Sequence, residues 1–247
     1  TYVVGASKEY TATIRLGVAT TTDDAEGEPT SVADASGVTA EQVAGGVAAL
    51  TGPIEQVPSS VSAIKVAGKR AYARVRAGEE VALAARPVVV HRFEVLASRP
   101  ATVADGTAVL DLDVVVECSS GTYVRALARD LVAALGVGGH LTALRRTRVG
   151  GYALDVARTL EQLGEEFTVL PMAQAARAAF ASRELTAAEA RELSFGRWIA
   201  ADPAVPGDEK APVAAFAPDG DVVALLADDR SGRARPVLVL RPAGAGT

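Results

Sequence analysis

The sequence predicts an α+β fold, in which a mixed, mainly antiparallel sheet with flanking helices is followed by a small C-terminal β-rich domain. Three observations lead to this prediction: an alternating strand near the N-terminus, two β-rich runs at hairpin spacing, and an amphipathic helix directly after them. The 247 residues are 49% hydrophobic and 22% charged, which is ordinary for a globular protein with a buried core. We expect a domain boundary near residue 182, with domains at 1–181 and 182–247.

The first strand is predicted over residues 8–19, because apolar and polar residues alternate along this stretch. Turn-forming and acidic residues then interrupt the pattern. Thr39 and Gln42 have the spacing of a capping box, which predicts a helix that begins after Thr39 and ends near Leu50.

Two β-rich runs, at 87–98 and 107–118, are separated by a short connection that contains Pro and Gly. This spacing predicts an antiparallel hairpin. Apolar residues then recur at helical spacing, which predicts a helix of about 14 residues from Thr122 to a C-terminal stop at Gly136.

The C-terminal region begins with a second capping box and continues as short strands. Thr186 and Glu189 form the box, and Gly196 is a suitable helix end. The apolar runs after residue 211 are separated by turn residues, which is typical of a small β-rich domain.

The composition argues against several classes of site. Cys118 is the single cysteine and there are two histidines, so neither a disulfide framework nor a Cys/His metal site is expected. A thiol nucleophile built from Cys118 and His140 lacks a third orienting group. No glycine-rich run has the lysine of a phosphate-binding loop. We therefore predict no metal and no cofactor, and we expect a monomer located in the cytoplasm without a membrane span.

The charge distribution favours contact with phosphate in one region of the chain. The net charge of −5 argues against nucleic acid as a partner. Between residues 119 and 152, however, five arginines stand against a single aspartate, Asp130. This basic stretch is suited to phosphate contact.

Four motifs carry the most specific information: K-x-Y at 8–10, S-A-x-K at 62–65, S-S-G-T-Y-x-R at 119–125 and L-R-R-x-x-x-G at 144–150. In this order they resemble the TruB-type family of tRNA pseudouridine synthases, over about residues 1 to 160. Residues after 185 also resemble the start of a PUA-like RNA-binding domain.

The resemblance implies isomerisation of uridine 55, in the T arm of tRNA, to pseudouridine by base flipping and an aspartate nucleophile, without a cofactor. Tyr10 would lie against the target uracil and take part in proton transfer. Arg125 would pair with the catalytic aspartate, and Tyr123 and Leu144 would line the uracil pocket. Each of these residues also has a plain interpretation, as core side chains for the tyrosines and the leucine and as a surface side chain for Arg125.

The resemblance also implies a set of basic residues for binding RNA: Lys8, Lys65, Arg145, Arg146 and Arg148. The three arginines fall within four positions of a predicted strand, which favours an exposed basic edge. The loop at 59–72 combines basic residues with turn chemistry, which suits a loop that folds over RNA or an ordinary surface loop.

One expected motif does not occur. Family members carry the nucleophile in a G-x-L-D loop before the K-x-Y strand, and none of the three Leu-Asp pairs of this sequence has that context. Because the sequence begins with Thr1 in mid-pattern, we expect that the segment with the aspartate precedes it and that this chain alone is inactive. The alternative function is a non-catalytic protein that binds or folds tRNA.

Overall fold

The computed structural model describes residues 2–58, 65–66, 69–70 and 83–244, with only the backbone described at 65–66 and 69–70. The chain divides into two compact units. The first unit comprises residues 5–149, and the second comprises residues 150–244 together with residues 2–4.

The first unit contains an antiparallel sheet in which the strands follow the order β9-β1-β8-β7-β4. Two small ribbons, β2 with β3 and β5 with β6, are also antiparallel. In chain order the elements are β1 (Lys8–Leu16), β2 (Val18–Thr20), β3 (Pro29–Val32), α1 (Ala40–Ala49), β4 (Gly52–Gln56), β5 (Lys65–Val66), β6 (Lys69–Arg70), β7 (Arg86–Thr102), β8 (Ala108–Cys118), α2 (Val124–Leu135) and β9 (Gly139–Val149).

The central strand β1 directs its apolar residues to the core. Ala12, Ile14 and Leu16 are buried, and they pack with residues of β8 and α2. The predicted strand over 8–19 is interrupted at Gly17, whose φ of 103° is left-handed and whose added Cβ would lie 2.7 Å from the Ala33 carbonyl oxygen. The alternation of apolar and polar residues does not reveal this break, because a glycine is compatible both with a strand and with a turn.

The capping box, the hairpin and the amphipathic helix were predicted correctly. Thr39 caps α1, with both reciprocal hydrogen bonds of the box present. β7 and β8 pair antiparallel as expected. α2 ends at Gly136, which adopts the left-handed conformation with φ 72°, and its buried face includes Leu127 and Leu131. The chain therefore passes directly from β8 to the start of α2.

The second unit contains a sheet with the order β11-β13-β14-β15-β12, in which β11 and β13 are parallel. Its core includes Phe216, Leu193 and Leu226. In chain order the elements are β10 (Tyr152–Ala153), a 3-10 turn (Leu154–Val156), α3 (Leu160–Glu165), α4 (Met172–Ala179), β11 (Ser182–Glu184), α5 (Ala187–Ser194), β12 (Ile199–Ala200), β13 (Val213–Phe216), β14 (Val222–Asp228) and β15 (Arg233–Val239). The predicted α+β class, mainly antiparallel with a β-rich C-terminal part, is confirmed.

Within the described residues, no helix is long and apolar enough to cross a membrane. The same residues contain no group of three or more His, Cys, Asp or Glu side chains that could hold a metal ion.

Candidate active site

Arg125, in the first turn of α2, forms an ion pair with Asp24. Its Nη1 donates to Asp24 Oδ2 at 2.6 Å and to the carbonyl oxygen of Thr22 at 3.4 Å. The side chains of Arg125 and Asp24 are 26% and 22% exposed, so the pair is largely withdrawn from solvent. A cation at this end of a helix opposes the helix dipole, and Asp24 compensates for it. Arg125 thus has a carboxylate partner within this chain, and its predicted pairing with the catalytic aspartate remains a prediction.

The turn that carries Asp24 is fastened to β9. Asp23 has a left-handed φ of 61°, and the N–H of Leu141 donates to its carbonyl oxygen at 3.0 Å. The Thr20 hydroxyl donates to the carbonyl oxygen of Asp24 at 2.8 Å. Asp24 is therefore presented to Arg125 by a backbone that is held in place on both sides.

The Asp24 carboxyl is stabilised in its ionised form. Burial opposes ionisation, but hydrogen bonds from the Thr22 hydroxyl (2.5 Å) and the Glu26 N–H (3.1 Å), together with Arg125, outweigh it. The pKa of Asp24 is therefore held below its ordinary value. Both carboxylate oxygens already accept hydrogen bonds, so this group is suited to holding Arg125 in place.

The ion pair borders a cavity of about 400 Å³ next to β9. Leu144 also lines this cavity and is 47% exposed, so it presents an apolar surface to any occupant. The structure thus brings together Arg125 and Leu144, two of the predicted site residues. Of the other described site residues, Tyr10 and Tyr123 are not part of the lining.

Tyr10 lies on β1 between Val116 of β8 and Arg146 of β9, half-buried against the core. Because Leu144 pairs with Ala12 two positions along, it lies on the same face of the sheet as Arg146. Burial, and then the Cys118 sulfur, raise the pKa of the Tyr10 phenol, and the hydrogen bond and charge of Arg146 only partly offset this rise. The phenol is therefore protonated at neutral pH and can donate a hydrogen bond.

Tyr123 is the N-cap residue of α2, and its side chain is half-buried. Its backbone is held by the side chain of Gln56, which bonds both the N–H and the carbonyl oxygen. The S-S-G-T-Y-x-R motif therefore spans the turn that sets the direction of α2. The role of Tyr123 in a uracil pocket remains a prediction.

The arginines of β9 do not form one exposed edge. Arg145 and Arg146 are exposed, but they pair with Thr11 and Tyr10 and so lie on opposite faces of the sheet. A register shift at the next position places Arg148 beside Glu117, with an ion pair of 2.6 Å. Arg148 is consequently half-buried, and its charge is compensated within the protein.

The other two predicted RNA-binding residues are Lys8 and Lys65. The Lys8 ammonium group donates to the Ala6 carbonyl oxygen at 2.7 Å. Lys65 lies on β5, but its side chain and most of the loop at 59–72 lie outside the described residues. Their roles in RNA binding remain predictions.

Sequence reasoning missed Asp24, which pairs with Arg125, and Gln56, which holds the backbone of Tyr123. Asp24 appeared only as part of an acidic turn. Gln56 is 1% exposed and occupies a core-facing position of β4. A polar residue at a buried position of an alternating strand is the signal that could have identified it.

The model of the TruB family pseudouridylate synthase N-terminal domain matches residues 1–124. Two further models match the remainder: the tRNA pseudouridylate synthase B C-terminal domain at 125–177, and the tRNA pseudouridine synthase II C-terminal domain at 180–241. The tRNA pseudouridine synthase B of Arthrobacter sp. (strain FB24) is 65% identical over 98% of this chain and 79% of the relative. The chain belongs to the TruB family. The tRNA pseudouridine synthase B of Paenarthrobacter aurescens (strain TC1) is 63% identical over 98% of this chain and 78% of the relative.

Solved structures share the fold. A Cbf5-Nop10-Gar1 complex matches with a TM-score of 0.61 and 22% identity, over 98% of this chain and 68% of that chain. An H/ACA RNP bound to a substrate RNA containing 2'-deoxyuridine also matches with a TM-score of 0.61, at 20% identity, over 97% of this chain and 68% of that chain. TruB-family membership identifies the chain as an isomerase of the pseudouridine synthase type and supports pseudouridine formation in tRNA.

Proposed function

We propose that the protein converts uridine 55, in the T arm of tRNA, to pseudouridine. The observation that carries this proposal is the cavity beside β9, where two motifs of the family provide Arg125 and Leu144. A flat base that is flipped from the RNA needs an apolar wall and a few fixed polar groups. Leu144 and the Arg125–Asp24 pair supply these two elements.

The proposed reaction is an isomerisation and is balanced without a co-reactant. The bond from the ribose C1′ to N1 of uracil breaks, the base rotates, and a bond from C1′ to C5 forms. N1 takes up a proton from water, and the proton originally on C5 is released to water. No metal or redox group is needed for these steps.

We also propose that the nucleophile is an aspartate of a G-x-L-D loop, and that the 247 residues alone are inactive. In the three Leu-Asp pairs of this chain, each aspartate already accepts a hydrogen bond or forms an ion pair. These contacts support the proposal. Asp111 pairs with Arg15 at 2.8 Å, and Asp113 accepts from Thr13 at 2.8 Å. Asp155 accepts from the N–H of Val156, the next residue.

Tritium release tests the function. The protein expressed from its complete gene should release tritium from tRNA that carries [5-³H]uridine, because the C5 proton is lost in the reaction. A transcript with cytidine at position 55 is the matched control and should release none at that site. Release that is unaffected by this substitution would assign the activity to another uridine, and absence of release from every tRNA would refute the enzymatic function.

The alternative, a non-catalytic tRNA-binding or tRNA-folding protein, makes a different prediction in the same assay. It would bind tRNA and change its folding rate without releasing tritium.

Replacing Arg145, Arg146 and Arg148 with Ala should weaken tRNA binding and flatten its salt dependence. Each phosphate contact that is lost should reduce the slope of log K against log salt by roughly 0.7 to 0.9. Because Arg148 is already paired with Glu117, we expect the single changes at Arg145 and Arg146 to account for most of the effect. The measurement is tRNA affinity as a function of salt concentration.

Arg92→Ala is the control for these changes, since Arg92 is an exposed, ion-paired arginine of β7 in the same sheet. Equal slopes for the control and for the Arg145 and Arg146 variants would show that these two arginines do not contact phosphate.

We further propose that a PUA-like domain, with its boundary near residue 182, contributes to tRNA binding, and that the protein acts as a monomer in the cytoplasm. The C-terminal family match from residue 180 supports the domain proposal.

A further inference from the structure

Gln56 has the least exposed polar side chain among the described residues, with 1% of its surface accessible. It is the last residue of β4, and its neighbour Glu55 on the opposite face of the strand is exposed. Burying an amide is unfavourable unless its polar atoms are bonded. The partners of Gln56 therefore indicate why this position is not apolar.

Both polar atoms of Gln56 bond to a single residue, Tyr123. The Tyr123 N–H donates to Oε1 at 2.8 Å, and Nε2 donates to the Tyr123 carbonyl oxygen at 3.1 Å. The Gln56 amide therefore bonds both the N–H and the carbonyl oxygen of one residue, as the backbone of a neighbouring strand does. Tyr123 is the N-cap of α2 and has no side-chain cap of its own, so Gln56 serves as an external clamp on the start of the helix.

The other end of the same turn is fixed by Ser119. Its N–H donates to the Val89 carbonyl oxygen at 2.8 Å, and its hydroxyl accepts from the Val89 N–H at 2.9 Å. The turn at 119–123 is thus held at one end to β7 and at the other to β4. Because β4 and β7 are neighbours in the sheet, this turn sits on a rigid base.

A second contact joins α2 to the end of β4. Arg129, one turn after Arg125, donates from Nη2 to the carbonyl oxygen of Val57 at 2.7 Å. The residue after Gln56 is therefore tied to the same helix. Together, the contacts made by Gln56 and Arg129 limit movement of the first turn of α2 relative to the end of β4.

We infer that Gln56 is a positioning residue for pseudouridine formation, and this inference rests on the function proposed above. Among the described residues that line the cavity, Gln56 is not included. It holds the backbone of Tyr123, and through this backbone it sets the position of Arg125 two residues later. A displacement of about 1 Å in a reacting site can lower the rate about 100-fold, so loss of the clamp should affect catalysis more than binding.

Gln56→Met tests the inference, because methionine has a similar length and cannot bond the Tyr123 backbone. With the protein expressed from its complete gene, we expect kcat for tritium release, per folded molecule, to fall about 10- to 100-fold while KM stays near its original value. Hydrogen exchange at the amides of residues 123–125 should also become faster. Gln56→Asn keeps the amide but shortens it, and it provides a second test with the same expected direction if the methionine variant does not fold.

Gln162→Met is the matched control. The Gln162 amide also bonds a helix-capping backbone group, the Thr159 N–H at 3.0 Å, but in the second unit. Its removal should leave kcat unchanged. An active protein whose kcat is equally insensitive to Gln56→Met and Gln56→Asn would overturn the inference alone. A protein that releases no tritium before any substitution would overturn the proposed function itself.

Discussion

Tyr10→Phe is expected to lower kcat for pseudouridine formation by about 10²- to 10⁴-fold, the range that one positioned proton-transfer group contributes. Binding of tRNA should stay close to that of the unsubstituted protein, because the ring that would stack on the uracil is retained. Single-turnover tritium release and tRNA affinity measure the two effects separately.

The surroundings of Tyr10 favour a role as a proton donor. Burial and the nearby Cys118 raise the pKa of the phenol, and Arg146 offsets the rise only in part. At neutral pH the phenol therefore carries its proton, and a base made from it would be scarce. We expect no loss of activity from ionisation of Tyr10 as the pH rises through neutrality.

Tyr152→Phe is the matched control for this change. The Tyr152 hydroxyl donates to the Ala175 carbonyl oxygen at 2.8 Å within the second unit. Its removal should reduce stability modestly and leave tritium release intact. A Tyr10→Phe protein that is as active as the Tyr152→Phe protein would limit Tyr10 to stacking or to packing.

Local patterns in the sequence were sufficient for most elements of the fold. The capping box at Thr39, the hairpin of β7 and β8, and the stop of α2 at Gly136 each depend on residues close in the chain. Periodicity and capping chemistry act over a few residues, so a single sequence records them.

The partners in the site could not be predicted in the same way. Arg125 and Asp24 are 101 positions apart, and Gln56 and Tyr123 are 67 apart. The family resemblance predicted an aspartate partner for Arg125, but the sequence does not show which acidic residue of this chain lies beside it. Only the fold, which bonds the Asp24 turn to β9, selects the partner.

The arginines of β9 show a related difficulty. Three basic residues within four positions predicted a common exposed edge, but strand alternation directs Arg145 and Arg146 to opposite faces. The register shift near Thr147 then places Arg148 beside Glu117. A shift of one residue in a strand changes which face a side chain occupies, and it leaves no clear mark in the sequence.

Arg125→Met is expected to lower the thermal stability of the protein and to abolish most of its activity. If Arg125 had no carboxylate partner, it would be an uncompensated charge in an apolar pocket. Replacing it with Met would then raise the melting temperature instead of lowering it. Because both side chains are only about a quarter exposed, removal of the cation leaves the Asp24 carboxylate without the charge that compensates it. We expect a cost of about 1 to 3 kcal/mol, between the values for exposed and fully buried pairs. Thermal and denaturant unfolding measure it.

A double-mutant cycle with Asp24→Asn separates the ion pair from other effects of the two substitutions. If the pair accounts for the stability loss, the double variant should be more stable than the sum of the two single losses predicts, with a coupling energy of about 0.5 to 3 kcal/mol. Since the pKa of Asp24 is lowered in the folded state, the coupling should be complete above the ordinary aspartate pKa and should disappear as the pH falls through the lowered value. Additive losses at neutral pH would mean that Arg125 depends on a different partner.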